Sequence, residues 1–353
     1  MGPRQAAGPK GPRQAAGPKG PDPAVAAVRL GVRRGLTRLT SLGGGNDGAL
    51  VLAACSGGPD SLALASAVAF EAPRLGLRAG AVTVDHGLQS GSAERATSVA
   101  ATLRAMGLAP VASLRAEVAG RGDPTYPGPE GAARQARYAV IEAAAVEYGA
   151  AAVLLGHTMD DQAETVLLGL ARGSGPRSLA GMQAASGRYL RPLLGVRRSQ
   201  TVAACAAEGL EPWQDPHNAD PAYARTRVRQ QILPLMEELL GPGVTESLAR
   251  TADRMREDAD ALDELTAAAA DRLRSPDGWL EVTALAELPG AIRTRLLRRA
   301  AIAAGSPAGS LSSGHIASLD ALVTSWHGQR WSDLPGGVRC VRRYGRLQFT
   351  TPS

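Results

Sequence analysis

The chain has 353 residues, 44% of them hydrophobic and only 3% aromatic, with a formal charge of +6. That length suffices for two domains with a core built mostly of Ala, Leu and Val, and no stretch approaches the roughly 18 apolar residues of a membrane span. Lys10 and Lys19 are the only lysines, which excludes from the body of the chain a Walker-type phosphate loop, with its Gly-Lys-Ser/Thr, and a Schiff-base lysine.

Residues 2–10 and 11–19 repeat the nonapeptide GPRQAAGPK. Such a segment buries too little apolar surface to offset ordering entropy, so residues 1–23 are expected to be a disordered basic tail. An amphipathic helix follows to Leu42, and GGGNDG (43–48) reads as a loop. Strands and helices then alternate. ALVLAAC (49–55), RAGAVTVDHG (78–87), PVASLRAEV (110–118) and AAVLLGH (151–157) read as strands; SLALASAVAFEA (61–72), SAERATSVAATLRAMG (92–107), EGAARQARYAVIEAAAVEYG (130–149) and DDQAETVLLGLARG (160–173) read as helices. Apolar strands in this alternation predict an α/β fold, a parallel sheet with helices on both faces. Ligands in such sheets sit at the carboxyl ends of the strands. Ser56–Ser61, Asp85–His86 and His157–Asp161 all fall there.

Beyond Ser174 the pattern weakens. RPLLGV (191–196) fits a short strand or an extended arm, and RSQTVAACAAEGL (198–210) a helix. A loop then leads into a helix with Arg225, Arg227 and Arg229 near its start. Residues 244–274 form a long helical pattern. The remainder holds two helices and a β-hairpin, RWSDLPGGVRCVRRYGRLQF, turning at PGG. The expected organisation is an N-terminal nucleotide-binding domain over 24–240, a helical connector over 241–275 and a small α+β domain over 276–353. From Gly290 onward nine arginines stand against two aspartates. That balance suggests a polyanionic partner such as nucleic acid, the alternative being a solvated Arg-rich surface. Cys55, Cys205 and Cys340 form no CxxC pair and no even framework, and no apolar leader opens the chain. A reducing cytoplasm is the expected compartment, with no membrane.

The hexapeptide Ser56-Gly57-Gly58-Pro59-Asp60-Ser61 carries the chemistry. Between a strand and a helix N-terminus, unpaired N–H groups and the helix dipole favour an anion. The glycines let backbone approach a phosphate, and the two serines add hydroxyls. Asp60 would repel a bare phosphate, so it makes sense with a metal bridging it to a nucleotide. A plain turn with a serine N-cap explains one Ser and one Gly, not the whole hexapeptide.

SGGPDS resembles the SGGxDS pyrophosphate loop of the PP-loop ATP pyrophosphatases. Within that superfamily VDHGLQSGSAERA (84–96), EGAARQARY (130–138), GHTMDDQAETVLLGLARGSGPRSLAGM (156–182), RPLL (191–194) and DPHNADPAYARTRVRQQILPLM (215–236) resemble, in order and spacing, the tRNA(Ile)-lysidine synthetases. The C-terminal part is similar more loosely, in size, basicity and its PGGVR hairpin. The resemblance implies an enzyme using ATP and Mg²⁺. It adenylates the C2 oxygen of the wobble cytidine in the CAU anticodon of tRNA(Ile), and free L-lysine then displaces AMP, changing codon reading from AUG to AUA. It implies that Ser56–Ser61 hold the pyrophosphate end of ATP, that Asp60 also holds Mg²⁺, and that Asp85 and His86 line the adenosine side. Arg134 matches a functional arginine of the family, with Arg137 on the same helical face as the alternative. His157 and Asp161 match active-site positions, where a carboxylate would hold the lysine ammonium or accept its proton. Glu164 belongs to the same constellation, and one of Asp160 and Asp161 is expected to be a helix cap. Arg172, Arg191, Arg225, Arg229, Arg339, Arg342 and Arg343 are candidate tRNA contacts. A homodimer is known in parts of the family, and nothing in the sequence demands one. The rivals are other PP-loop tRNA-modifying enzymes and a non-catalytic RNA-binding protein. A thiolase would need paired cysteines, an amidating enzyme a glutaminase domain, and a mere binder would leave Asp60 and Asp161 without a reason.

Overall fold

The computed structural model describes residues 20–42, 48–85, 87, 91–117, 129–173, 175–213, 222–273 and 278–351. His86 and the repeated nonapeptides lie outside them. The chain forms two units, residues 1–173 with 181–250, and residues 174–180 with 251–353.

The first unit opens with α1 (Pro23–Leu42) and alternates β1 (Leu50–Ala54), α2 (Pro59–Glu71), β2 (Arg78–Asp85), α3 (Ser92–Ala105), β3 (Val111–Arg115), α4 (Pro129–Glu147), β4 (Ala150–Leu155) and α5 (Met159–Ala171). After the short α6 (Pro176–Leu179), which belongs to the second unit, come β5 (Ala185–Ser186), β6 (Tyr189–Leu190), α7 (Arg198–Ala207), α8 (Ala224–Arg227), a π-turn at Val228–Ile232 and α9 (Leu233–Leu240). The sheet runs β3-β2-β1-β4-β6-β5. Its first five strands are parallel, and β5 closes the edge antiparallel to β6. The strand expected within RPLLGV lies just before it, because Pro192 has no N–H to donate to a ladder.

Strand periodicity sorts the core onto two faces. Val51 and Ala53 of β1 pack with Val28, Val32 and Leu36 of α1 and Leu64 and Val68 of α2. Leu50 and Leu52 face the other way, onto Ile141 and Ala145 of α4. Two glycines let α1 lie against the Pro192 turn: a Cβ on Gly31 would sit 2.8 Å from the Pro192 carbonyl oxygen, and one on Gly35 3.1 Å from Pro192 Cβ. Glu71, 1% exposed, accepts two bonds from Arg33, at 2.8 and 2.9 Å, fastening α1 to α2. A further close approach positions the chemistry. A Cβ on Gly156, just past β4, would lie 3.1 Å from the Asp60 carbonyl and 3.2 Å from the Ser61 nitrogen. The end of β4 therefore abuts the first turn of α2.

The long helix α10 (Val244–Leu273) begins in the first unit and continues in the second. The second unit adds β7 (Leu280–Glu281), α11 (Val282–Ala286), α12 (Gly290–Ala303), α13 (Ser313–Thr324), β8 (Trp331–Leu334), β9 (Val338–Arg343) and β10 (Arg346–Thr350). The expected hairpin is a three-stranded meander, extended by β7 into an antiparallel sheet of order β7-β10-β9-β8. Its second turn is Tyr344-Gly345, with φ of 50° and 73°. Positive φ at both central residues is the geometry of a tight hairpin. Leu334, Val338, Cys340 and Leu347 pack one sheet face onto Leu285, Leu297 and Leu319. Among the described residues no helix is long and apolar enough to cross a membrane.

Candidate active site

Ser56–Ser61 turns the chain from β1 into α2. Gly57 has φ +86°, and a Cβ there would come within 2.7 Å of Val99 Cγ2, so both backbone and space require glycine. The Trp213 N–H donates to the Gly57 carbonyl at 2.9 Å. Gly58 is the N-cap and Pro59 opens the helix, where its missing N–H costs nothing. The Ser61 hydroxyl donates to the Gly58 carbonyl at 2.9 Å and accepts the Ser56 N–H at 3.2 Å. Ser61 thus fixes the loop's shape, and the exposed Ser56 lies with its hydroxyl 3.4 Å from that of Ser61.

At the second residue of α2, Asp60 meets a cluster of charge. Arg198 of α7 donates through Nε to Asp60 Oδ2 at 3.0 Å and through Nη2 to Asp161 Oδ1 at 2.8 Å. Thr201 donates to Asp60 Oδ1. Arg229 donates to Asp161 at 3.1 Å and twice to the fully buried Glu164, at 2.6 and 3.0 Å. Asp161 also accepts the Thr158 N–H at 2.8 Å and its hydroxyl at 3.0 Å, completing a capping box at the start of α5. Asp160 caps α7 instead, accepting the Arg198 N–H at 2.8 Å.

Of these groups Asp60, Asp161, Arg198 and Arg229 line a cavity of about 280 Å³, together with Ser56, Arg137, His157 and an apolar wall that includes Val82, Val84, Tyr138 and Ile141. Every cation on its wall is an arginine. Burial pushes the Asp60 carboxyl above its ordinary range, against Arg198 and Thr201. Burial acts the same way on Asp161, but Arg198, the Thr158 N–H and Arg229 outweigh it and hold that carboxyl low. Glu164 is raised by burial in spite of Arg229. Burial lowers His157 to about 4, helped by Arg191, Arg134 and Arg137 and opposed by Asp161. The imidazole is therefore neutral near pH 7, and its buried Nδ1 has no hydrogen-bond partner among the described residues.

A model of the PP-loop domain matches residues 34–236, and one of the TilS substrate binding domain matches residues 280–348. The chain is 58% identical to the tRNA(Ile)-lysidine synthase of Thermobifida fusca, across 92% of this chain and 97% of that protein. The chain belongs to the tRNA(Ile)-lysidine synthase family. The synthase of Streptomyces coelicolor is 55% identical over the same shares. The fold is shared more widely: the U34-tRNA thiolase NcsA from Methanococcus maripaludis superposes with a TM-score of 0.53 at 18% identity, over 66% of this chain and 80% of that one.

Within this lysidine-synthase fold, the residues singled out in the sequence are not all brought together. Asp60, His157 and Asp161 share the cavity with the phosphate loop. Arg134 is exposed, resting over the Tyr138 ring and donating to its hydroxyl at 3.3 Å; Arg137 is the arginine on the cavity wall. Asp85 ends β2 and accepts the Gly87 N–H at 2.8 Å. Arg229, grouped by sequence with the tRNA contacts, is folded inward onto Asp161 and Glu164. Arg225 reaches the Thr165 hydroxyl at 3.5 Å, Arg191 donates to the Gln183 carbonyl at 3.0 Å, and Arg172 is exposed just after α5. In the second unit Arg339 and Arg343 share one sheet face, whereas Arg342 lies on the other, donating to the Leu322 carbonyl and stacking over Trp326. Sequence reasoning missed Arg198 and Thr201. One signal pointed to them: an Arg197-Arg198 pair opening a helix opposes the dipole and calls for acidic partners.

Proposed function

We propose that this chain is an ATP-dependent lysidine synthase. It adenylates the C2 oxygen of the wobble cytidine in a CAU-anticodon tRNA(Ile) and joins free L-lysine to that carbon as AMP leaves. The work is done in the cytoplasm, with residues 24–240 carrying the ATP chemistry, 241–275 linking, and 276–353 binding tRNA. The observation that carries this reading is the Asp60–Arg198–Asp161 cluster beside the phosphate loop, in a chain of this family.

The N–H groups of the first turn of α2 and the Ser56 hydroxyl receive the pyrophosphate end of ATP. Arg137 and Arg198 supply positive charge as it builds on the departing pyrophosphate. Mg²⁺ fits the donor chemistry. Asp60 and Asp161 are hard oxygen donors on one wall, and Mg²⁺ uses one or two carboxylates with substrate phosphates and water. No protein-only group of three or more His, Cys, Asp or Glu is present among the described residues, in keeping with a metal that arrives with the nucleotide. When bound, Mg²⁺ supplies charge neutralisation of the phosphates.

The cytidine oxygen attacks the α-phosphorus and pyrophosphate leaves. Lysine then attacks the activated ring carbon, and AMP departs with the former C2 oxygen. Asp161, kept anionic by Arg198 and Arg229, attracts the lysine ammonium. Its free amine is the attacking form, and the neutral His157 Nδ1 accepts the amine proton as the C–N bond forms.

The test is pyrophosphate release with ATP, Mg²⁺ and a CAU-anticodon tRNA(Ile) transcript, with and without labelled L-lysine. tRNA-dependent release with lysine joined to the tRNA is expected. Release without attachment of lysine overturns the choice of nucleophile, and absence of release overturns the enzyme assignment.

A further inference from the structure

The strand registers of the second unit sort its side chains into two sets. Trp331 pairs with Val341 and Asp333 with Arg339; Arg343 pairs with Arg346, Val341 with Gln348 and Arg339 with Thr350. Alternation along each strand therefore puts Trp331, Arg339, Arg343 and Arg346 on one face. The opposite face is the one packed into the core through Leu334, Val338, Cys340 and Leu347.

This outer face has features that packing does not explain. Trp331 is one of four tryptophans in the whole chain, yet it is 48% exposed, with the Arg339 guanidinium 5.0 Å from its ring centroid. Tyr344, at the turn that ends this face, is 98% exposed. Both acids on the face are matched: Asp333 holds Arg339 at 2.6 Å, and Glu281 holds Arg346 at 2.6 Å. Arg343 has no carboxylate partner among the described residues, so the face carries a net positive charge beside two solvent-facing rings.

Exposed aromatic rings on a sheet, interleaved with arginines, form a platform on which unpaired bases stack while the backbone phosphate meets a guanidinium. We infer that the outer face of β8, β9 and β10 binds unpaired nucleotides of the tRNA, with Trp331 stacking on a base, Tyr344 flanking it and Arg343 meeting phosphate. Charge complementarity selects this occupant, since the segment from Gly290 carries nine arginines against two aspartates. The inference rests on the reading that tRNA is the substrate. It adds which face is used and that the contact is by stacking as well as by charge.

The experiment uses the full chain and an unmodified tRNA(Ile) transcript, with binding measured across a salt series. Trp331→Ala should weaken binding about tenfold, in the range of loss of one stacked base, and leave the slope of log K against log salt unchanged. Trp331→Phe should restore most of the affinity. Arg343→Ala should flatten the slope by about 0.7, the value for one phosphate contact on a single strand. Tryptophan emission gives a second readout: tRNA should quench the parent, and Trp331→Phe should lose that quench. Unchanged affinity in Trp331→Ala, or equal quenching in parent and Trp331→Phe, overturns the inference. So does equal quenching of the parent by heparin, a polyanion without bases. Pyrophosphate release at subsaturating tRNA should fall in step with the loss of affinity in Trp331→Ala and Arg343→Ala. If the parent itself shows no tRNA-dependent release, the substrate reading fails; if it does and the Trp331 variants behave as parent, only the stacking face fails.

Discussion

Arg198 holds Asp60 and Asp161 with separate arms of one planar fork, a geometry that lysine's single ammonium cannot reproduce. Removing it leaves the part-buried Asp60 carboxylate without a cationic partner among the described residues, which costs up to about 3–5 kcal/mol. Arg198→Met is therefore expected to lower the thermal midpoint markedly and to abolish pyrophosphate release, with Arg198→Lys recovering stability better than rate; calorimetry and a release assay check both. A second prediction concerns His157. Its imidazole protonates near 4 in the fold and near 6.5 when unfolded. Between those values the unfolded chain binds more protons, so the His157 contribution disfavours folding progressively as pH falls from 6.5 toward 4. Denaturant titrations at pH 7 and pH 5 should show that loss, and His157→Asn should reduce it. The acid limb of kcat/KM should not show a His157 ionisation near 6.5. Arg198 escaped the sequence reading because its partner Asp60 lies 138 positions away, a separation that no local pattern reports. The phosphate loop did not escape, because its parts are contiguous.

Among the elements, the turn from β1 to α2 tolerates least. Gly57→Ala would place a methyl 2.7 Å from Val99 Cγ2 on a backbone at φ +86°, costing about 1 kcal/mol or more. The expected result is a large drop in pyrophosphate release with tRNA affinity unchanged, read by parallel release and filter-binding assays. Element order was legible because apolar runs and helical periods are local. The edge hairpin β5–β6 was not, since each of its strands has two residues, too few to show a period. The strand β10 was absorbed into a single hairpin because the turn at Tyr344 lacks the usual Asn or Asp before glycine. Register also decided what composition could not: Arg342 and Arg343 are neighbours in sequence and lie on opposite faces of the sheet.

For the whole molecule, the basic face of the second unit and the guanidinium-lined cavity of the first set different sensitivities. Affinity for tRNA should fall steeply with added salt, whereas the buried Arg198 and Arg229 pairs are screened far less. An arginine-selective dicarbonyl should inactivate the enzyme, with ATP protecting. An amine-selective acylating reagent should leave pyrophosphate release intact, and such protection and survival are read in the same assay. The last expectation follows from the two lysines at positions 10 and 19. No described side chain bears a primary amine, and a guanidinium stays protonated at neutral pH and is a far weaker nucleophile than a free amine. On the proposed chemistry, an activated ring carbon waits beside many cations, none of which can capture it. The enzyme therefore brings no side-chain amine from its folded body to compete with the incoming amino acid for that carbon.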